Sequence, residues 1–260
     1  MRHRSLLPIW LAFALLVSPL GWAGAQEAQT IELNAPDLSR GLPVMKALSV
    51  RASATEWAEM ELAAQDLSDL LWAANGVNRP ESGKRTAPSA MNAQDVDIYV
   101  FLKQGAYRYD PRKHALTLVV VGDHRAEITR RPSEGPALPP AGKESGPEAR
   151  PEGPTPGAGE GKAGPPPAAR PSPPRSPAPV ELILVSDLSR FPHGSDEHRA
   201  QVAAIDTGCV SQNISLFCAA TGLSTRPRAG MNKELIRSLL QLTETQLTIL
   251  NHPVGYPPGS

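Results

Sequence analysis

Half of the 48 residues from Pro132 to Pro179 are proline or glycine, 16 and 8 respectively, and this stretch decides what the rest of the 260-residue chain can build. It holds no Ile, Val, Phe, Tyr or Trp and only one leucine, Leu138. Ordering a backbone costs about 1–2 kcal/mol per residue, and such a composition buries too little apolar surface to offset that. Five glutamates and five basic residues keep the stretch solvated. The expectation is a disordered, partly polyproline-II insertion, too irregular for collagen, with Pro171-Ser-Pro-Pro174 read as spacer rather than ligand. Closing a long loop adds little free energy, so one domain can carry it.

The N-terminus is equally distinctive. Arg2, His3 and Arg4 precede an uncharged run from Leu6 to Leu20, followed by Ala23-Gly24-Ala25. A basic start, a short apolar stretch and a small-residue site are the marks of a secretory signal peptide over residues 1–25. The run falls short of a bilayer span, which takes about 20 residues. An exported, periplasmic protein with no stable membrane span after cleavage is therefore expected. The parts left to fold, residues 26–131 and 180–260, amount to one domain of ordinary size.

Lys+Arg and Asp+Glu balance at 26 each, so the chain carries no basic footprint for nucleic acid. Two cysteines are too few for a disulfide scaffold or a cysteine-rich zinc site. Cys209 and Cys218 fall nine positions apart on one expected helix, about 13.5 Å along its axis, too far to bridge. No Gly-x-Ser-x-Gly occurs, Gly83-Lys84-Arg85-Thr86 lacks the glycine and hydroxyl of a phosphate loop, and the histidines show no ligand spacing. No metal site is expected.

Hydrophobic periodicity gives a mixed set of elements. Leu67, Leu70, Leu71 and Ala74 predict a helix over 62–74 stopped by Gly76. Val96, Ile98, Val100 and Leu102 alternate with Asp97, Tyr99, Phe101 and Lys103, which reads as a strand. Turns at Lys103–Gly105 and Asp110-Pro111 make 96–121 an antiparallel meander, and Val180–Val185 reads as a central strand. Residues 198–222 predict the longest helix, with Val202, Ile205, Cys209, Gln212 and Leu216 on its buried stripe. A helix capped by Asn232 and a strand over Leu247–Leu250 follow. Without a strict strand–helix alternation, the class is α+β.

Three clusters offer binding chemistry. Arg51 and Ser53 follow a short apolar helix end, and a guanidinium beside a hydroxyl grips phosphate well. Residues 79–94 lie between a buried helix and a strand and offer three cations with the side-chain amides of Asn92 and Gln94. Residues 222–230 place two glycines and Pro227 in a loop between helices, where backbone N–H groups can approach a ligand.

These clusters, in this order, resemble the FMN-dependent nitroreductase family, nearest to its thiazole/oxazole-peptide dehydrogenase-like branch. Leu67–Gly76, Arg85-Thr-Ala-Pro-Ser-Ala90, Ala204–Gly208 with Ser211-Gln-Asn213, and His252–Pro257 carry the match. The resemblance implies a nitroreductase-like fold, with a central, mostly antiparallel sheet flanked by helices. It also implies an intertwined homodimer with FMN at the subunit interface and a small-molecule substrate. Arg51 and Ser53 would hold the FMN phosphate, although Ala52 and Thr55 stand where the family usually has arginines and no basic pair follows Tyr256. Arg79, Lys84 or Arg85 would compensate. Pro88, Ser89, Asn92 and Gln94 would lie along the flavin ring, and Pro227, Ala229 and Gly230 would face flavin N5 and O4. The implied function is hydride transfer through flavin N5 to or from a small organic substrate, with no catalytic side chain. The alternative is a flavin-binding or flavin-free interaction protein on the same scaffold.

Overall fold

The computed structural model describes residues 29–130 and 177–259, and all structural statements concern these. The expected signal peptide and the insertion as far as Ser176 lie outside them. In chain order the elements are β1 (Thr30–Glu32), α1 (Val44–Val50), α2 (Ala64–Asn75), β2 (Val77–Arg79), β3 (Lys84–Arg85), β4 (Val96–Phe101), β5 (Gly105–Asp110), β6 (Ala115–Val121) and α3 (Arg125–Thr129). After the insertion come β7 (Val180–Asp187), α4 (Asp196–Thr221), β8 (Ser224–Thr225), α5 (Lys233–Leu240) and β9 (Gln246–Gly255).

Seven strands form one sheet in the order β1-β6-β5-β4-β7-β9-β8, every neighbouring pair antiparallel. β7 lies between β4 and β9, so the chain after the insertion completes the sheet begun before it. Helices cover both faces. Val96, Ile98 and Val100 pack with Leu70 and Leu71 of α2 and with Val210, Ile214 and Cys218 of α4. Tyr99, Phe101, Ile183 and Val185 pack with Ile128 of α3 and Ile236 and Leu240 of α5. Under this double covering β4 is buried at all six positions. The alternation in its sequence separates two cores rather than core from solvent.

α4 also departs from expectation. Ser195 caps it by accepting from His198 N–H, and Gly222 ends it at φ +79°, a left-handed turn that glycine adopts without a Cβ penalty. Its buried side is Ala203, Asp206, Thr207, Val210, Ser211, Ile214, Ser215 and Cys218, whereas Ile205 is 59% exposed. The apolar stripe expected through Ile205 and Gln212 is therefore rotated. The true stripe is half polar: Ser211 Oγ lies 2.8 Å from His252 Nε2 and Ser215 Oγ donates to Ser211 O, whereas the buried Thr207 Oγ1 has no partner among the described residues. His252 is fully buried between Ser211 and Thr225, and burial lowers its pKa to about 3, leaving it neutral as an anchor of β9 on α4. β9 runs ten residues, well beyond the expected 247–250.

α2 ends as expected, for a particular reason. Gly76 is extended, not left-handed, and a Cβ there would fall 2.6 Å from Trp72 Cδ1. The glycine lets the chain fold back over the Trp72 ring. Asn232 caps α5 by accepting from Leu235 N–H. Both cysteines are free, Cys218 buried and Cys209 half-buried.

Candidate functional site

The segment from β2 to β4 leaves the end of α2 and returns into the sheet, and it encloses a cavity of about 320 Å³. Arg79, Lys84, Arg85, Pro88, Ser89, Asn92 and Gln94 line it, closed by Asp95 and by Asp206 and Val210 of α4. Five sequence-expected site residues, Arg85, Pro88, Ser89, Asn92 and Gln94, thus share one wall system. Arg85 donates from Nη1 to Val96 O at 3.1 Å, while its Nε is buried without a partner among the described residues. Burial also pulls the Arg85 pKa below its ordinary value. A buried, unsatisfied guanidinium N–H costs about 1–3 kcal/mol or more, so it is poised to donate to an anion or carbonyl oxygen.

The loop carrying Ser89 to Gln94 is strained. Met91, Asn92 and Gln94 have φ of 54°, 53° and 50°, three left-handed non-glycine residues within four positions. Each costs on the order of 1–3 kcal/mol, and such conformations persist only where the surroundings over-determine them. They do so here. Gln94 N–H donates to Ser89 Oγ at 2.8 Å, and its side-chain amide donates to Gly83 O at 3.0 Å. Ala90 N–H donates to Asp206 Oδ2 at 2.8 Å, and Arg190 Nη1 holds Gln94 O at 2.8 Å. Asn92 is left exposed.

The other five expected residues lie elsewhere. Arg51 caps the C-terminus of α1, exposed, and its guanidinium has no partner among the described residues. Ser53 lines a second cavity of about 300 Å³ with Ala52, Ala54, Cys218, Gly222 and Thr225. Ala54 N–H donates to Thr225 O at 2.9 Å, which ties the 51–56 segment to the start of the 224–230 loop. Pro227 and Ala229 are exposed, Gly230 is half-buried, and the N–H groups of Ala229 and Gly230 find no partner among the described residues. Between them, Arg228 exchanges both backbone hydrogen bonds with Asn251 and donates from Nη2 to both oxygens of Glu181 at 3.1 Å. This clamp fixes the loop on the sheet.

Asp206 at the first cavity and Cys218 at the second are twelve residues apart on α4, about 18 Å along its axis. The structure therefore gathers five of the ten residues at the first cavity and places Ser53 at the second, while Arg51, Pro227, Ala229 and Gly230 line neither.

Sequence reasoning missed two features. One is Asp95 with Asp206; the other is Glu181 with Arg228. Glu181 was readable as a lone acid inside an otherwise apolar strand, Val180-Glu-Leu-Ile-Leu-Val185. Asp206 lay at helical spacing with Ala203, Val210 and Ile214, an acid on what proves to be the buried side.

A seven-stranded antiparallel sheet between helical layers, with a polar cleft at its margin, defines an α+β scaffold. The family model named Nitroreductase family matches residues 57–256, and the chain belongs to that family of oxidoreductases. A solved structure from Ralstonia eutropha JMP134, provisionally named a nitroreductase, is 28% identical, with a TM-score of 0.67 over 89% of this chain and 90% of that one. A structure from Anabaena variabilis ATCC 29413, also provisionally named a nitroreductase, is 14% identical at TM-score 0.59, covering 88% of this chain and 42% of that one. A chain of the E. coli microcin synthetase McbBCD complex, solved with truncated pro-MccB17 bound, is 15% identical at TM-score 0.56 over 95% and 84%. The last two likenesses bear on the fold alone. No curated protein matches the chain in sequence.

Proposed function

We propose that this chain is an exported FMN-dependent oxidoreductase that works as a homodimer, with each flavin site assembled from both protomers. The observation that carries the reading is the division of the expected residues. Arg85, Pro88, Ser89, Asn92 and Gln94 line one cavity beside Asp206, whereas Ser53 lines another beside Cys218, about 18 Å further along α4, and Arg51 and the 227–230 loop line neither. A two-fold dimer lets one protomer's Arg51, Ser53 and 227–230 loop meet the partner's 85–94 segment, and the family resemblance implies such an interface. α1 supplies apolar surface suited to it, with Val44 63%, Met45 74% and Leu48 47% exposed on one short helix.

The residues fit the cofactor chemically. Among the described residues, the Arg51 guanidinium, the buried Arg85 Nε–H and the backbone N–H groups of Ala229 and Gly230 have no partner and can take a phosphate or the ring edge. Bound FMN would supply two-electron transfer between a donor and a small organic substrate. The chain's part is to orient it. Free N–H groups at 229 and 230 would stabilise negative charge growing on the ring edge, and the clamped loop would do so without reorganising. The amides of Asn92 and Gln94 would hold the ring's polar rim. No described side chain is needed as a base for this step. Export rests on the N-terminal segment.

Titration of the purified protein with FMN, followed by the visible flavin band, tests the reading. Binding at one flavin per protomer is expected, with Arg51→Ala weakening it by roughly tenfold or more through loss of a charge-assisted contact. A preparation that takes up no flavin, or an Arg51→Ala protein with unchanged affinity, would overturn the assignment.

A further inference from the structure

Asp95 and Asp206 reach the floor of the first cavity from different elements, Asp95 from the entry to β4 and Asp206 from α4. Both are buried, Asp95 completely. They grip adjacent residues of the strained loop. Ser89 Oγ donates to Asp95 Oδ1 at 3.3 Å, and Ala90 N–H donates to Asp206 Oδ2 at 2.8 Å. Behind them Ser186 Oγ donates to the other Asp95 oxygen at 2.5 Å. The Asp206 carboxyl lies close enough to Asp95 to push its pKa up. Two neighbouring loop residues are thus tied to two acids that repel each other when both are ionised.

We propose that Asp95 and Asp206 are positioning residues that lock the 89–94 loop in its left-handed shape by holding Ser89 Oγ and Ala90 N–H from two different elements. Burial foremost, with the Asp206 carboxyl beside it and against the opposing Ser186 hydroxyl, raises the Asp95 pKa to about 6. The other charges facing the pair are Arg190, which follows β7, and Arg79, Lys84 and Arg85 on the cavity wall. Arg190 is engaged with Asp97 and Gln94 O, and Arg85 with Val96 O, so neither closes an ion pair on the dyad. A loop that opens frees Asp95 to return to its ordinary value near 3.8. The closed loop therefore holds the proton longer. Its advantage is complete below the ordinary value, declines as pH rises, and is lost once pH passes about 6.

The role in flavin binding rests on the cofactor reading above, whereas the latch itself does not. Hydrogen exchange of residues 86–96 in the flavin-free full-length chain, corrected for intrinsic rates, reads the latch directly. Loop opening is expected to rise between tenfold and about a hundredfold from pH 4 to pH 7 in the wild type. Asp95→Asn, which keeps a hydrogen bond to Asp206 without titrating, is expected to remove that rise, and Asp206→Asn likewise. Wild-type exchange without pH dependence, or asparagine variants that keep the same dependence, would overturn the latch. FMN titration of the same proteins reads the second link: the ratio of wild-type to Asp95→Asn Kd is expected to follow the exchange profile. A pH-dependent loop with a flat Kd ratio would sustain the latch and sink the placement of flavin against it.

Discussion

Replacing Glu181 by glutamine makes the clamp on the 227–230 loop measurable. Glu181 is 2% exposed in the middle of β7, with one nitrogen of Arg228 equidistant at 3.1 Å from its two oxygens and the Asn251 amide at 3.3 Å. Burial outweighs the attraction of Arg228 and raises the pKa from 4.5 to about 7. The unfolded chain releases this proton near 4.5 and the folded chain only near 7, so between them the unfolded state binds fewer protons and stability falls with rising pH. At 1.36 kcal/mol per pKa unit, the wild type should lose about 3 kcal/mol relative to Glu181→Gln between pH 4.5 and pH 8. Below pH 4.5 the side chain is uncharged in both proteins, and they should be nearly isostable. Urea unfolding of both proteins at four or five pH values measures this difference. A gap that stays constant, or one in which the wild type gains on the variant as pH rises, would mean that Arg228 overcomes desolvation.

Two further substitutions test the packing that positions the site. Gly76→Ala puts a Cβ against the Trp72 ring and should destabilise by about 1–3 kcal/mol, read as a lower Tm. Ile214→Ala empties a fully buried position on α4 and should cost about 2–5 kcal/mol, whereas Ile205→Ala, exposed on the opposite side, should stay within about 0.5 kcal/mol in a monomeric reference. Similar losses at the two isoleucines would restore the stripe that periodicity alone suggested.

What could be read from the residues alone follows the range of the forces involved. The caps Asn232 and Gly222, the turn at Gly105 and the helix over Leu67–Ala74 are local, and they stand where the sequence put them. β1, β8 and α3 escaped notice because two to five residues hold too little periodicity to register, and the sheet edge or a neighbouring helix makes them. The buried side of α4 was misjudged because Ser211, Ser215 and Asp206 look like surface residues until His252 and Ala90 are brought to them. The site loop was legible by motif, residue by residue. Its strain, its anchoring to Asp95 and Asp206, and the distance separating it from Arg51 and Ser53 depend on contacts between segments remote in sequence.

The shared site can be tested by making two broken proteins repair each other. Arg51→Ala disables one group and Asn92→Ala the other, and a hybrid dimer of the two variants carries one site with both defects and one with neither. Flavin titration of purified hybrids should recover a single wild-type-affinity site per dimer, absent from either parent variant. Hybrids that bind no better than their parents would place both groups at the same protomer's site and contradict the account.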